Sequence, residues 1–163
     1  MQKELTIIGR AERADISDLG VSGVPVKIDT GADACSIWAH ATEVREGKLH
    51  VIFFDETSKF YTGKEHVFKN DEFTVTRVAN SFGQREIRYK VKLVIRINGR
   101  KIRGTFTLSD RSTKLYPVLI GRSLLHNKFL VDVSKGKPLV SLEKERAEKL
   151  RLDLMKMQGD ADK

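Results

Sequence analysis

The sequence predicts a mainly β domain followed by a short helical extension, and three observations carry that expectation. Short β-branched or aromatic runs, each bounded by Gly, Asn, Asp or Ser, recur at Leu5–Ile8, Val24–Ile28, Leu49–Phe54, Phe73–Val78, Ile87–Ile97 and Ile102–Leu108. Asn98-Gly99 separates the last two runs, and both residues tolerate the positive φ of a tight hairpin turn. Strong helix formers gather late, in SLEKERAEKLRLDLMKMQ from Ser141 to Gln158.

Taken in order, the first run is a four-residue apolar patch, Leu5 to Ile8, followed at once by charge, so it is read as a strand and not as a signal peptide. Val24–Ile28 leads into Asp29-Thr30-Gly31, a strand delivering an acid into a tight turn. In the run ending at Ile97, Val91, Leu93, Ile95 and Ile97 share one face while Lys90, Lys92 and Arg96 share the other, which predicts a hairpin with a basic outer face. GRSLLHNKF after Ile120 suits one or two helical turns. The late helix carries a partial stripe of Leu142, Leu150, Leu154 and Met157, and residues from Gln158 onward read as frayed. With no repeat and no low-complexity linker, the organisation expected is one β domain over residues 1–140 and a charged helical extension over 141–163.

At 163 residues and 40% apolar content the chain suffices for one modest core. No apolar run approaches the ~20 residues of a membrane span, so no membrane partner is expected. The single cysteine, Cys35, allows no internal disulfide and agrees with a reducing, cytoplasmic setting. The net charge of +8 is unevenly spread: residues 1–70 hold 9 Lys/Arg against 11 Asp/Glu, and residues 71–163 hold 21 against 11. Between Arg77 and Lys114 stand 11 basic residues with only Glu86 and Asp110 as acids. Such a field draws an acidic partner, either a peptide or a nucleic acid, or serves as a solvated face.

Two chemistries find no support. YTGKEH has a Gly-Lys pair without the upstream glycine spacing of a phosphate-binding loop. His40, His50, His66 and His126 show no metal-ligand spacing. No metal and no cofactor are therefore expected, and Cys35 is read as a small buried thiol.

What remains is the carboxylate turn. An aspartic peptidase brings two carboxylates close enough to share one proton, so that one acts as the acid while the other activates water. Such a site needs an aspartate at a strand-to-turn junction, a neighbouring hydroxyl and a glycine where the backbone bends, and Asp29-Thr30-Gly31 supplies all three. Near the C-terminus YPVLIGRSLL repeats the logic of an apolar strand ending in glycine and arginine, with Gly121 lying 92 residues after Asp29. On these two elements, IDTGADACSI and VLIGRSLL, the chain resembles the retropepsins, the small aspartic peptidases of retroviruses and their cellular relatives. The likeness covers roughly residues 20–132. It is closer still to a bacterial branch of that fold with KIDTGA early and an LIGRxxLxxxFLVD pattern late. That branch is often labelled an ATP-dependent zinc protease, and its members are associated with ATP-grasp glutamate ligases.

The resemblance implies a closed β-barrel or sandwich of acid-protease type with a short helix after Gly121-Arg122. It implies catalytic roles for Asp29, Thr30 and Gly31, substrate contacts at Ala32 and Asp33, and support of the site by Gly121 and Arg122. Asp33 and Arg122 are expected to form a partly buried ion pair that orients the loop. The flap that closes over substrate is expected in TRVANSFGQREIRY, with Asn80, Ser81 and Gly83 providing the turn, and Arg85, Arg88 and Lys90 are expected to meet an acidic peptide. The chain holds one D-T-G and no second one, so a homodimer with Asp29 from each copy is expected to complete the pair. The implied substrate is a glutamate-rich protein tail, with a functional link to an ATP-grasp glutamate ligase. The rival reading is a non-catalytic β domain that binds peptide or nucleic acid. Against nucleic acid, Phe82, Tyr89 and Phe106 form no RNA-recognition signature.

Overall fold

The computed structural model describes residues 4–79 and 82–161. Its strands are β1 (Thr6–Ile8), β2 (Ala11–Ile16), β3 (Val21–Ile28), β4 (Cys35–Arg45), β5 (Lys48–Phe53), β6 (Glu65–Phe68), β7 (Phe73–Ala79), β8 (Arg85–Ile97), β9 (Arg100–Ser109), β10 (Val118–Ile120) and β11 (Phe129–Val131), with helices α1 (Arg122–Leu125) and α2 (Val140–Ala161). Strands in the order β10-β3-β2-β8-β9-β4 form a sheet that closes on itself where β10 also pairs with β4, giving a six-stranded barrel. Outside the ring, β5 and β6 extend from β4, β7 extends from β8, and β1 pairs with β11 in a separate two-stranded sheet.

The period-two pattern of β8 holds. Val91, Leu93, Ile95 and Ile97 are buried and the intervening Lys92 and Arg96 are exposed, as a strand with one face on the core requires. Asn98 and Gly99 both take positive φ, 46° and 78°, and turn β8 antiparallel into β9. Val24, Val26, Ile37, Phe106, Val118 and Ile120 join the interior from β3, β4, β9 and β10. On β9 the missing side chain at Gly104 leaves room for α1: a Cβ there would lie 2.6 Å from Leu124 Cδ1.

Two barrel strands were not anticipated. In β2, AERADI carries three charges, and in β4, the second half of CSIWAHATEVR is exposed and polar; both hid behind composition. Pairing decided them, since β2 lies between β3 and β8, and the start of β4 lies between β10 and β9.

The barrel topology positions the candidate site. β10 runs parallel to β3 with Val118 opposite Val26 and Ile120 opposite Ile28. Parallel neighbours exit at the same end, so the residues that follow them, Asp29 and Gly121, come together despite their separation in sequence.

The C-terminal helix runs further than its frayed reading suggested, through Gly159 and Asp160 to Ala161, and none of its side chains is buried. Leu142, Leu150, Leu154 and Met157 are all exposed, so the partial stripe does not contribute to the barrel core. Among the described residues no helix is long and apolar enough to cross a membrane.

Candidate active site

Asp29 is the first residue beyond β3, and its turn is held shut from within. Its own carboxylate Oδ1 accepts the Gly31 N–H at 3.0 Å, and its carbonyl accepts the Ala32 N–H at 3.2 Å. An aspartate capping its own turn in this way fixes the side-chain direction without help from other elements.

The second segment clamps the turn from beneath. Asp29 N–H donates to the Ile120 carbonyl at 2.9 Å, Arg122 N–H to the Ala32 carbonyl at 2.8 Å, and Ser123 N–H to the Asp33 carbonyl at 3.0 Å. These bonds require the two backbones nearly in contact, which is why Gly121 stands there. A Cβ at Gly121 would sit 2.4 Å from the Ala34 carbonyl oxygen and 2.8 Å from that of Ala32. The Gly121 N–H, buried in this contact, donates to Cys35 Sγ at 3.3 Å. Cys35 is fully buried, and burial pushes its thiol up despite the opposing Gly121 hydrogen bond. It therefore serves as an acceptor for an otherwise unpaired amide and lacks the thiolate character of a nucleophile.

Arg122 holds the outer side of the turn. One guanidinium nitrogen donates to the Thr30 carbonyl at 2.9 Å and another pairs with the Asp33 carboxylate. The expected ion pair is thus formed, but its expected partial burial is corrected: the Asp33 side chain is 90% and the Arg122 side chain 51% exposed. The turn lies where β3 and β10 end side by side. Asp29 and Ala32 are half-buried and Thr30 and Gly31 exposed, so the carboxylate stands at a surface.

The expected flap corresponds to the hairpin of β7 and β8, paired in continuous register from Phe73 opposite Val91 to Ala79 opposite Arg85. Asn80 and Ser81, assigned to its turn, lie outside the described residues. Gly83 takes φ 75°, and Phe82 beside it is 89% exposed. The three cations expected to act together do not form one cluster. Alternation along β8 places Arg88 and Lys90 on one face and Arg85 on the other. Lys90 lines a cavity of about 700 Å³ together with Asp18, Asp71 and Glu72, whereas the half-buried Arg88 lies near Arg111. Burial, and then the like charge of Arg88, pulls the Arg111 guanidinium below its ordinary value.

Sequence reading overlooked a second basic cluster. Arg10, Lys27, Arg111, Lys114 and Arg146 line a cavity of about 500 Å³ whose wall includes Ile28, the residue before Asp29. Arg111 and Lys114 fall inside the basic stretch, and Lys114 lies shortly before β10, which leads into Gly121, and that was the available signal. Arg10 and Arg146 had none, because only the fold brings them in. Among the described residues, no group of three or more His, Cys, Asp or Glu side chains is placed to hold a metal ion.

Comparison with known proteins agrees with the fold. A protein of unknown function from Legionella pneumophila superposes with a TM-score of 0.60 at 23% identity, over 82% of this chain and 97% of that one. Proteins named probable alpha-L-glutamate ligase are 32% identical in Shewanella pealeana and 31% in Shewanella halifaxensis, each over 80% of this chain. The chain spans only 29% of the length of either relative. The profile of the RimB-like family, described as retropepsin-like aspartic endopeptidase RimB, matches residues 7–138. With its D-T-G turn seated on the Gly-Arg segment of a closed barrel, the chain belongs to the RimB-like family of retropepsin-like aspartic endopeptidases.

Proposed function

We propose that the protein is an aspartic peptidase that hydrolyses peptide bonds in glutamate-rich protein tails, with Asp29 of two copies meeting at a two-fold axis. The observation that carries this reading is the seating of Asp29: a half-buried residue whose carboxylate is oriented by the Gly31 N–H and whose backbone N–H is anchored on the Ile120 carbonyl, where β3 and β10 end side by side. One chain supplies one such carboxylate, and a homodimer supplies the pair. In the pair, the ionised Asp29 takes a proton from water as the oxygen attacks the scissile carbonyl carbon. The protonated Asp29 of the other copy donates to the carbonyl oxygen. Collapse of the tetrahedral intermediate then breaks the C–N bond, the leaving nitrogen takes a proton, and one carboxylate is again protonated. Thr30 lies beside the catalytic group to link the two turns, and Ala32 and Asp33 border the substrate.

The barrel, residues 1–140, is the peptidase unit in this reading, and residues 141–163 are an appended helix. The basic cavity and the basic β8 hairpin support an acidic substrate. The relatives support it from another side, since a region similar to this chain forms part of longer proteins named for joining glutamate. The activity fits a functional partnership in the cytoplasm, in which a glutamate ligase extends protein tails and this protein shortens them. The single D-T-G also favours a second reading, a monomeric domain that binds acidic peptides without cleaving them.

The deciding experiment is incubation of the protein with an oligoglutamate-tailed peptide, with products followed by mass spectrometry and the native mass by sedimentation. Cleavage by a dimer, abolished in Asp29→Asn with folding intact, is expected. Full activity in Asp29→Asn would remove the mechanism, and peptide binding by an inactive monomer would establish the second reading.

A further inference from the structure

The cavity whose wall includes Lys27 and Ile28, the two residues before Asp29, already contains a carboxylate. Glu143, in the first turn of α2, receives both terminal guanidinium nitrogens of Arg10 at 3.0 Å, one on each oxygen. The Tyr116 hydroxyl donates to Glu143 Oε1 at 2.6 Å and is itself held by the Leu139 N–H at 2.9 Å. A two-pronged guanidinium with a fixed hydroxyl is a geometry that binds a carboxylate or another planar or tetrahedral oxyanion in preference to a neutral amide, and here the group it holds is a glutamate carboxylate.

Position connects this arrangement with the Asp29 turn. The Arg10 carbonyl accepts the Ile28 N–H at 3.0 Å, one residue before Asp29. Tyr116 precedes β10, whose last carbonyl binds the Asp29 N–H. The Arg111 Nε donates to the Tyr116 carbonyl at 3.0 Å, which brings a further cation to the same wall. Five basic side chains therefore surround a cavity in which Glu143 is the one acid. The element that delivers Glu143 is lightly attached, because α2 buries no side chain and meets the barrel through polar ties such as Arg146 to the Thr113 carbonyl. A tie of this kind can be exchanged for an equivalent one from another chain at little cost to the fold.

We propose that Arg10 and Tyr116 form a glutamate-carboxylate subsite of the Asp29 cleft, and that Glu143 of the chain's own C-terminal helix fills it until an acidic peptide displaces it. The use of the subsite in catalysis rests on the peptidase reading; its recognition of glutamate does not.

The test is therefore a binding experiment on the full chain carrying Asp29→Asn, in which no turnover intervenes. Hexaglutamate and hexaglutamine peptides are titrated calorimetrically. Adding Glu143→Ala is expected to tighten hexaglutamate binding about 3–10-fold, the size of one or two charge-assisted contacts at a partly exposed site, and to leave hexaglutamine unchanged. Adding Arg10→Gln to that variant is expected to cancel the gain. Glu143→Gln, which keeps the shape and loses the charge, is expected to fall between native and alanine. Equal affinity in native and Glu143→Ala chains of confirmed fold would overturn the proposal and leave Glu143 as a structural tie. So would an equal gain for both peptides, or for an oligonucleotide of matched charge. Failure of the native chain to cleave any peptide would count against the peptidase reading alone.

Discussion

Gly121 lies so close to Ala34 that a Cβ on the glycine would come within 2.4 Å of the alanine's carbonyl oxygen. The D-T-G turn and the Gly-Arg segment are thus in backbone contact, and a methyl group cannot enter without moving one of them. Gly121→Ala is expected to lower stability by about 2–3 kcal/mol through overpacking, measured by denaturant unfolding. Peptide hydrolysis should fall further than the folded fraction does, because the displaced segment is the one that anchors the Asp29 amide.

Arg122 should behave in the opposite way. Its ion pair with Asp33 is exposed on both sides, so Arg122→Ala is expected to change unfolding free energy by less than about 1 kcal/mol. It also removes the hold on the Thr30 carbonyl, so kcat/KM should drop about 10–100-fold through misplacement of the turn. Steady-state kinetics beside a thermal melt separates the two effects.

The flap cations are expected to differ among themselves. Arg88→Gln should reduce the preference for oligoglutamate-tailed over neutral peptides about 3–10-fold, since Arg88 lies close enough to Arg111, which lines the basic cavity, to add to its field. Arg85→Gln and Lys90→Gln should change it less, because Arg85 lies on the other face of β8 and Lys90 lines a different cavity. Competition between the two substrates, at low and high salt, is the measurement.

The Arg10 hydrogen bonds, followed by that of Tyr116, hold the Glu143 carboxyl below its ordinary value. A depressed carboxylate contributes to the folded state above its unfolded pKa and loses that contribution as pH falls through the folded one. The groups facing it are Arg10, Tyr116 and, at longer range, Lys27, all cationic or neutral throughout that window. Amide protection at the start of α2, corrected for the intrinsic pH dependence of exchange, should therefore decline on acidification below the ordinary glutamate range. The barrel strands should hold their protection, since no side chain of α2 belongs to the core. Loss of protection in both together would show that α2 is not an independently released element.

The sequence by itself determined the parts whose physics is local. Alternation from Val91 to Ile97 produced a strand with one buried face, and Asn98-Gly99 produced its turn. Asp29-Thr30-Gly31 and Ile120-Gly121-Arg122 announced the two halves of the candidate site because each junction demands particular residues at adjacent positions. Tertiary structure alone decided what depends on partners distant in the chain. β2 and the exposed half of β4 carry too much polarity to read as strands, and they exist because neighbouring strands satisfy their backbone hydrogen bonds. Asp33 and Arg122 found each other as their motifs foretold, yet how exposed they are depends on what packs around the turn, which no local pattern encodes. Arg10 and Glu143, 133 positions apart, form their pair only because the turn before β2 and the start of α2 meet at the same cavity. Charge counts along the chain could place an excess of cations between Arg77 and Lys114, but only folding converts a list of charges into a pocket with a shape.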